Sequence, residues 1–186
     1  MAAIAHMIAS NGKAAQILRQ HRVHAATDVT GFGLIGHLIE MVRASDVDAT
    51  LAIDRLPLLE GARETVARGI FSSLQPQNVR LRRAIRELAT VAAHPLYPML
   101  FDPQTSGGLL AAVPLAEAEP CVAALRAAGY AAAEIIGFVA ERSDALEPVT
   151  VDLSGEQVAQ ALAELHTTRP RAPLLQPVAG AERSAL

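Results

Sequence analysis

The sequence has no tryptophan, and aromatic residues make up only 3% of its 186 positions, so a core has to be built from Ala, Leu, Val and Ile. Cys121 is its only cysteine. That excludes an internal disulfide framework and any zinc site made from several thiolates, and it fits a reducing, cytoplasmic setting. Positive charge is also scarce: the formal net charge is -3, with Lys13 the sole lysine. No overall field exists to draw in nucleic acid or an anionic membrane surface. Nor does any apolar run approach the roughly 20 residues that span a bilayer. Residues 1–16 lack the basic segment and sustained apolar stretch of a secretory leader. Nucleic acid and membrane are therefore not expected as partners. What is present, 51% hydrophobic residues in a chain of this length, describes a soluble globular domain able to close a core without staples.

Residues 2–19 place Ile4, Met7, Ile8, Ala15, Ile17 and Leu18 as one side of a helix, with Asn11-Gly12 as a break. A short strand over 22–27 runs into Asp28-Val29-Thr30-Gly31-Phe32-Gly33, where the glycines permit a tight turn. An amphipathic helix follows, with Leu34, Leu38 and Val42 at intervals of four, Ile35 and Ile39 alongside, and Thr30 as its N-cap. A strand over 49–53 leads to a helix over 57–68, opened by Pro57 and closed by Gly69. The next helix is expected over 77–91, after Pro76 and before His94-Pro95. A turn-rich loop over 101–108, a strand over 109–113 and a helix over 115–128 closed by Gly129 come next. Strands over 132–140 and 148–153 complete the pattern. Helices interleaved with four or five strands, several adjacent near the end, predict an α+β fold with a mixed β-sheet packed with helices. The expected organisation is one domain over 1–153, then a short helix and a disordered tail over 154–186, where Pro and small residues recur without periodicity.

Two segments can carry chemistry. Asp28 stands at a strand end beside flexible glycines and a helix N-terminus; it either favours that terminus electrostatically or coordinates Mg²⁺ while the free amides face phosphate oxygens. Asp102-Pro103-Gln104-Thr105-Ser106-Gly107-Gly108 is a polar loop entering a buried strand. Its paired glycines suit either a plain turn or close backbone approach to an anion, and no Lys-Ser or Lys-Thr follows to make a P-loop. His37 could face a phosphate or pack its helix, and a His24 and Asp28 metal pair would require the two to converge. Arg80, Arg82, Arg83 and Arg86 read as a solvated helix face or as a surface for phosphates or a partner. Cys121 reads as a small buried hydrophobe and Lys13 as a solvated helix residue.

Taken together, Thr27-Asp28-Val29-Thr30-Gly31-Phe32-Gly33-Leu34-Ile35-Gly36-His37 and Leu100-Phe101-Asp102-Pro103-Gln104-Thr105-Ser106-Gly107-Gly108-Leu109-Leu110 closely resemble selenophosphate synthetase (selenide, water dikinase). Gly69-Ile70-Phe71-Ser72-Ser73-Leu74, Asn78 and Ile136-Gly137-Phe138-Val139 are similar to further segments of that family. The resemblance implies the α+β C-terminal domain of the aminoimidazole ribonucleotide synthetase-like fold. It covers about residues 11–153. The family makes selenophosphate, AMP and phosphate from selenide, ATP and water, with Mg²⁺ held by aspartates mostly in an N-terminal ATP-binding domain. Asp28 is the metal ligand the resemblance carries over. The family's catalytic Cys or selenocysteine, essential Lys and glycine-rich segment have no counterpart here, so no catalytic residue is assigned. The chain is expected to be inactive alone and to bind neither Mg²⁺ nor ATP tightly by itself. Its implied partner is the N-terminal ATP-binding domain; a homodimer stays open, as does a purely docking role. The parts of Ser72, Ser73, Gln104, Thr105 and Ser106 are not assigned by sequence.

Overall fold

The computed structural model describes residues 2–167. Helices α1 (Ala2–Met7) and α2 (Gly12–Gln20) meet at the expected Asn11-Gly12 break, and β1 (Ala25–Asp28) leads through a turn into α3 (Gly33–Ser45). Then come β2 (Val47–Ala52), α4 (Ala62–Ala67), α5 (Gln75–Asn78), a 3-10 turn over Val79–Ala84, α6 (Leu88–Ala92) and a second 3-10 turn over Tyr97–Phe101. The remaining elements are β3 (Leu109–Ala112), α7 (Leu115–Ala127), β4 (Gly137–Glu141), β5 (Val149–Asp152) and α8 (Glu156–Thr167). The tail expected over 169–186 lies outside the described residues.

The strands form two sheets. β1 and β3 pair antiparallel as a ribbon, while β2 sits between an antiparallel β4 and a parallel β5. The fold is thus α+β with a mixed sheet, as the sequence pattern predicts. Ile35, Leu38, Ile39 and Val42 form one stripe of α3, at the helical spacing that puts them on a common face, and pack with Leu51, Val149, Val151, Leu100 and Phe101 in one core. Ile35 and Phe101 are fully buried. In that core Tyr97 and Phe101 meet edge to face at 5.0 Å, and the rest of its packing is aliphatic. Among the described residues no helix is long and apolar enough to cross a membrane.

The single helix expected over 77–91 does not form. Ile85 takes an extended conformation and makes a parallel bridge to Val149, and the Arg86 N–H donates to the Val149 carbonyl at 2.9 Å. Burying Ile85 against the sheet outweighs local helix propensity, so α5 and a 3-10 turn precede the bridge and α6 follows it. The helix expected from Pro57 is shorter, opening only after Gly61 at φ 81°, while Gly69 at φ 71° closes it as expected.

Two aspartates organise the polar part of the fold. Asp48, on β2, is 7% exposed and accepts hydrogen bonds from Arg86 Nη2 at 2.6 Å and from the Ser143 amide and hydroxyl at 3.0 and 2.6 Å; Arg142 pairs with its other oxygen. Asp152, 2% exposed, accepts from the amides of Ser154, Gly155, Gln157 and Val158, satisfying the free donors at the start of α8. That helix contacts β2, β4 and β5 and buries Val158, so the packed unit continues through it.

The Ser143 hydroxyl and amide, with the Arg86 and Arg142 guanidiniums, hold the Asp48 carboxyl well below the usual carboxylate range against the opposing effect of burial. A depressed folded-state value contributes stability above the unfolded value of about 3.9 that is lost as pH falls through the folded value. Urea denaturation of Asp48→Asn should therefore show a lower midpoint at neutral pH. The gap from the parent should stay constant down to about pH 5, begin to narrow below about pH 4 and close only in strong acid; a gap unchanged in strong acid would refute the assignment.

Candidate functional site

Asp28 and the polar loop, seventy-odd residues apart in sequence, are brought together because β1 pairs with β3 in a register that sets Asp28 opposite Leu109. The two turns are then laced by backbone bonds: the Val29 N–H donates to the Gly108 carbonyl at 2.9 Å, and the Gln104 N–H donates to the Thr30 carbonyl at 3.0 Å. Approach is close enough to demand glycine. A Cβ on Gly107 would stand 2.0 Å from the Val29 oxygen, and one on Gly33, whose φ is +69°, would stand 2.8 Å from the Phe101 carbonyl carbon. On its far side the loop is tied to the junction of α1 and α2, where Asn11 Nδ2 donates to the Gly107 carbonyl at 3.0 Å and Ser106 Oγ to the Met7 carbonyl at 3.1 Å.

Asp28 itself is exposed, and its carboxylate makes no hydrogen bond or ion pair with the described residues. The alternation of β1 puts Ala25 and Thr27 inward and Ala26 and Asp28 outward. The oxygens are thus held at the end of a strand and left free. Asp102 is half-buried; burial pushes its carboxyl up, partly offset by Gln104 Nε2, which donates to Asp102 Oδ2 at 3.0 Å. No group of three or more His, Cys, Asp or Glu side chains converges among the described residues. Asp28 can supply one hard oxygen ligand to a cation such as Mg²⁺, and the described residues offer it no companion ligands.

The other sequence candidates fall into place around this arrangement. Thr30 does not cap α3: Phe32 holds that position without a side-chain cap bond. Instead the Thr30 N–H donates to His37 Nε2 at 3.0 Å, and its hydroxyl stands 3.2 Å from the same nitrogen. A backbone N–H can only donate, so Nε2 carries the lone pair and the ring proton sits on Nδ1. His37, buried and turned back into the loop, braces it and does not face outward to a phosphate. His24 and Asp28 are both exposed but lie four residues apart along extended chain, about 13 Å, and do not converge on one ion. Arg86 leaves the arginine cluster to bind Asp48, whereas Arg80, Arg82 and Arg83 remain exposed on a 3-10 turn. Cys121 is buried, and its thiol is pushed up by burial and by Glu117, which suits a small hydrophobe and not a nucleophile. Lys13 is exposed on α2.

One residue gained a role that sequence did not give it. Asn78, 7% exposed at the end of α5, donates from Nδ2 to the Gly31 carbonyl at 2.9 Å and to the Phe101 carbonyl at 3.0 Å. It touches both turns at once. Its presence in a segment similar to the family's was the only advance signal.

Comparison with known proteins agrees with this architecture. Residues 2–147 match the family described as AIR synthase related protein, C-terminal domain, and the chain belongs to that family. Within it the resemblance to selenophosphate synthetase holds: the chain is 38% identical over 149 residues to a selenide, water dikinase of Pelobacter propionicus, covering 80% of this chain and 42% of the relative. Selenide, water dikinases of Clostridioides difficile and Burkholderia cenocepacia are each 36% identical, over 138 and 141 residues, with 74% of this chain and 40% of the relative covered. The chain spans less than half the length of these curated relatives.

The lacing of the turns gives a paired expectation for neighbouring glycines. Gly107→Ala should lower stability by about 1–3 kcal/mol or more, since backbone must move to admit the methyl group. Gly108→Ala, with open space at its Cβ and no positive φ, should stay within about 0.5 kcal/mol of the parent in urea denaturation.

Proposed function

We propose that the chain is the C-terminal portion of a selenophosphate-forming phosphotransferase and supplies one wall of its active cleft, with Asp28 as one metal ligand. The observation that carries this reading is the free carboxylate of Asp28, presented at the strand end by turns whose geometry is fixed from several sides. The substrates of the complete enzyme would be selenide, ATP and water, as the relatives' name and the motif resemblance indicate. Mg²⁺, when bound, would offset the charge on phosphate oxygens during transfer. This chain's residues have narrower tasks. Asp28 presents an oxygen to the ion, His37 holds the Thr30 amide, and the Gly107 turn keeps the second loop against the first. The remaining ligands and the nucleophile belong to the part of the enzyme that this chain does not match.

A second reading is favoured by a separate observation. Phe32, Ile70, Phe71 and Leu74 are large apolar side chains left 44–55% exposed, and Phe32 belongs to the Asp28 turn itself. Such surface suits a docking role toward a separately supplied ATP-binding partner, without chemistry by this chain.

The test mixes the full chain with the non-matching remainder of the Pelobacter propionicus enzyme and follows selenide-dependent AMP formation. The chain alone should form none, the mixture should form AMP, and Asp28→Asn should reduce its rate by roughly a hundredfold or more. Full activity in the Asp28→Asn mixture leaves only the docking reading. AMP formation by the chain alone would overturn the claim that the non-matching part of the relatives is required.

A further inference from the structure

Among the described residues no side-chain hydrogen bond joins the Asp28 turn directly to the Asp102 loop. Their shared contacts are backbone bonds at Val29 and Thr30, which fix the strand side of the junction. On the helix side, the carbonyls of Gly31 and Phe101 both point at the end of α5. There a single amide nitrogen, Asn78 Nδ2, donates to both at 2.9 and 3.0 Å. The orientation of that amide is forced, because two carbonyl oxygens accept only from the nitrogen end. Asn78 is 93% buried, so water does not take its place. Asp has the same shape without the donors, Ala removes them, and Gln carries the amide one methylene too far.

Asn78 is itself well supported. Its backbone N–H donates to the Leu74 carbonyl, and Val79 and Leu81, which follow it, pack on the core. Phe101 is fully buried, so one of the two carbonyls belongs to an immobile residue, whereas Gly31 sits in a glycine turn with nothing else holding its carbonyl. The clasp therefore ties the adaptable turn to the rigid one.

We propose that Asn78 is the positioning residue of the candidate site, its side-chain amide fixing the Asp28 turn relative to the Asp102 loop by donating to Gly31 and Phe101 together. The assignment of a task to that geometry rests on the reading of Asp28 as a metal ligand; the clasp itself does not. α5 thus acts as a third support for a site whose reactive groups lie elsewhere.

The experiment compares the full parent chain with Asn78→Asp and with Val158→Ala, a control that weakens the core at α8, by amide hydrogen exchange. In Asn78→Asp, exchange at Thr30, Gly33 and Gln104 should rise roughly tenfold or more while Leu51 and Val151 change little. Val158→Ala should instead raise Leu51 and Val151 at least as much as the loop amides. In the reconstituted mixture, Asn78→Asp should raise the Mg²⁺ concentration for half-maximal AMP formation by roughly tenfold, which Val158→Ala should not do. Unchanged loop exchange, or a uniform rise throughout Asn78→Asp, overturns the clasp. Localised loop exchange with an unshifted Mg²⁺ requirement overturns its positioning task, and Asp28→Asn at full activity overturns the reading of Asp28 while the exchange result stands separately.

Discussion

The antiparallel pairing of β1 with β3 is the constraint on which the rest of the site depends. Four residue pairs bring Asp28 beside the residues just past the second glycine loop, closing a stretch of some eighty residues. The entropy of closing a loop that long rises only slowly with its length, so the added cost over a short hairpin is modest. What the intervening residues supply is material: α3, the first strand of the mixed sheet and the turn carrying Asn78 all lie within it. Once the ribbon forms, backbone groups at Val29, Thr30, Gln104 and Gly108 need only complete bonds already in register.

The mixed sheet works differently. Its central strand, β2, is flanked by partners that run in opposite senses, and its polar ends are finished by carboxylates drawn inside. Asp48 gathers two arginines and Ser143 where the chain turns back after β4, and Asp152 gathers the amides that open α8. Buried carboxylates persist only when their oxygens are fully engaged, and both of these meet four or more donors. The same arithmetic explains why Asp28 is exposed: with no donors around it, burial would be costly, and its freedom is compatible with a ligand arriving from outside.

Much of this was written in local pattern. The stripe of Leu34, Ile35, Leu38, Ile39 and Val42 announces α3 because helical periodicity and burial agree there, and Gly69 and Gly129 end their helices through positive φ as their type suggests. The two loop motifs marked Asp28 and the Asp102 segment through resemblance. Pattern misled where tertiary contact overrode local preference. Ile85 reads as one more helical residue until Val149 claims its backbone, and Thr30 reads as a cap until His37 claims its amide. Asn78 was invisible as a link because hydrogen bonding to two carbonyls distant in sequence leaves no periodicity to read. Arg86 likewise looks like its exposed neighbours until the 3-10 turn and the bridge direct it toward Asp48.

The second glycine loop is pinned at both ends, by Gln104 to Thr30 and by Gly108 to Val29, with only three residues between. That leaves no slack in its length. One inserted residue would have to bulge outward at Thr105 or Ser106, or slip Leu109–Ala112 along its partner and exchange the faces of every side chain in the ribbon. Natural variation in length should therefore be nearly absent from this loop, making loop length a sharper signature of this site than the identity of any one side chain.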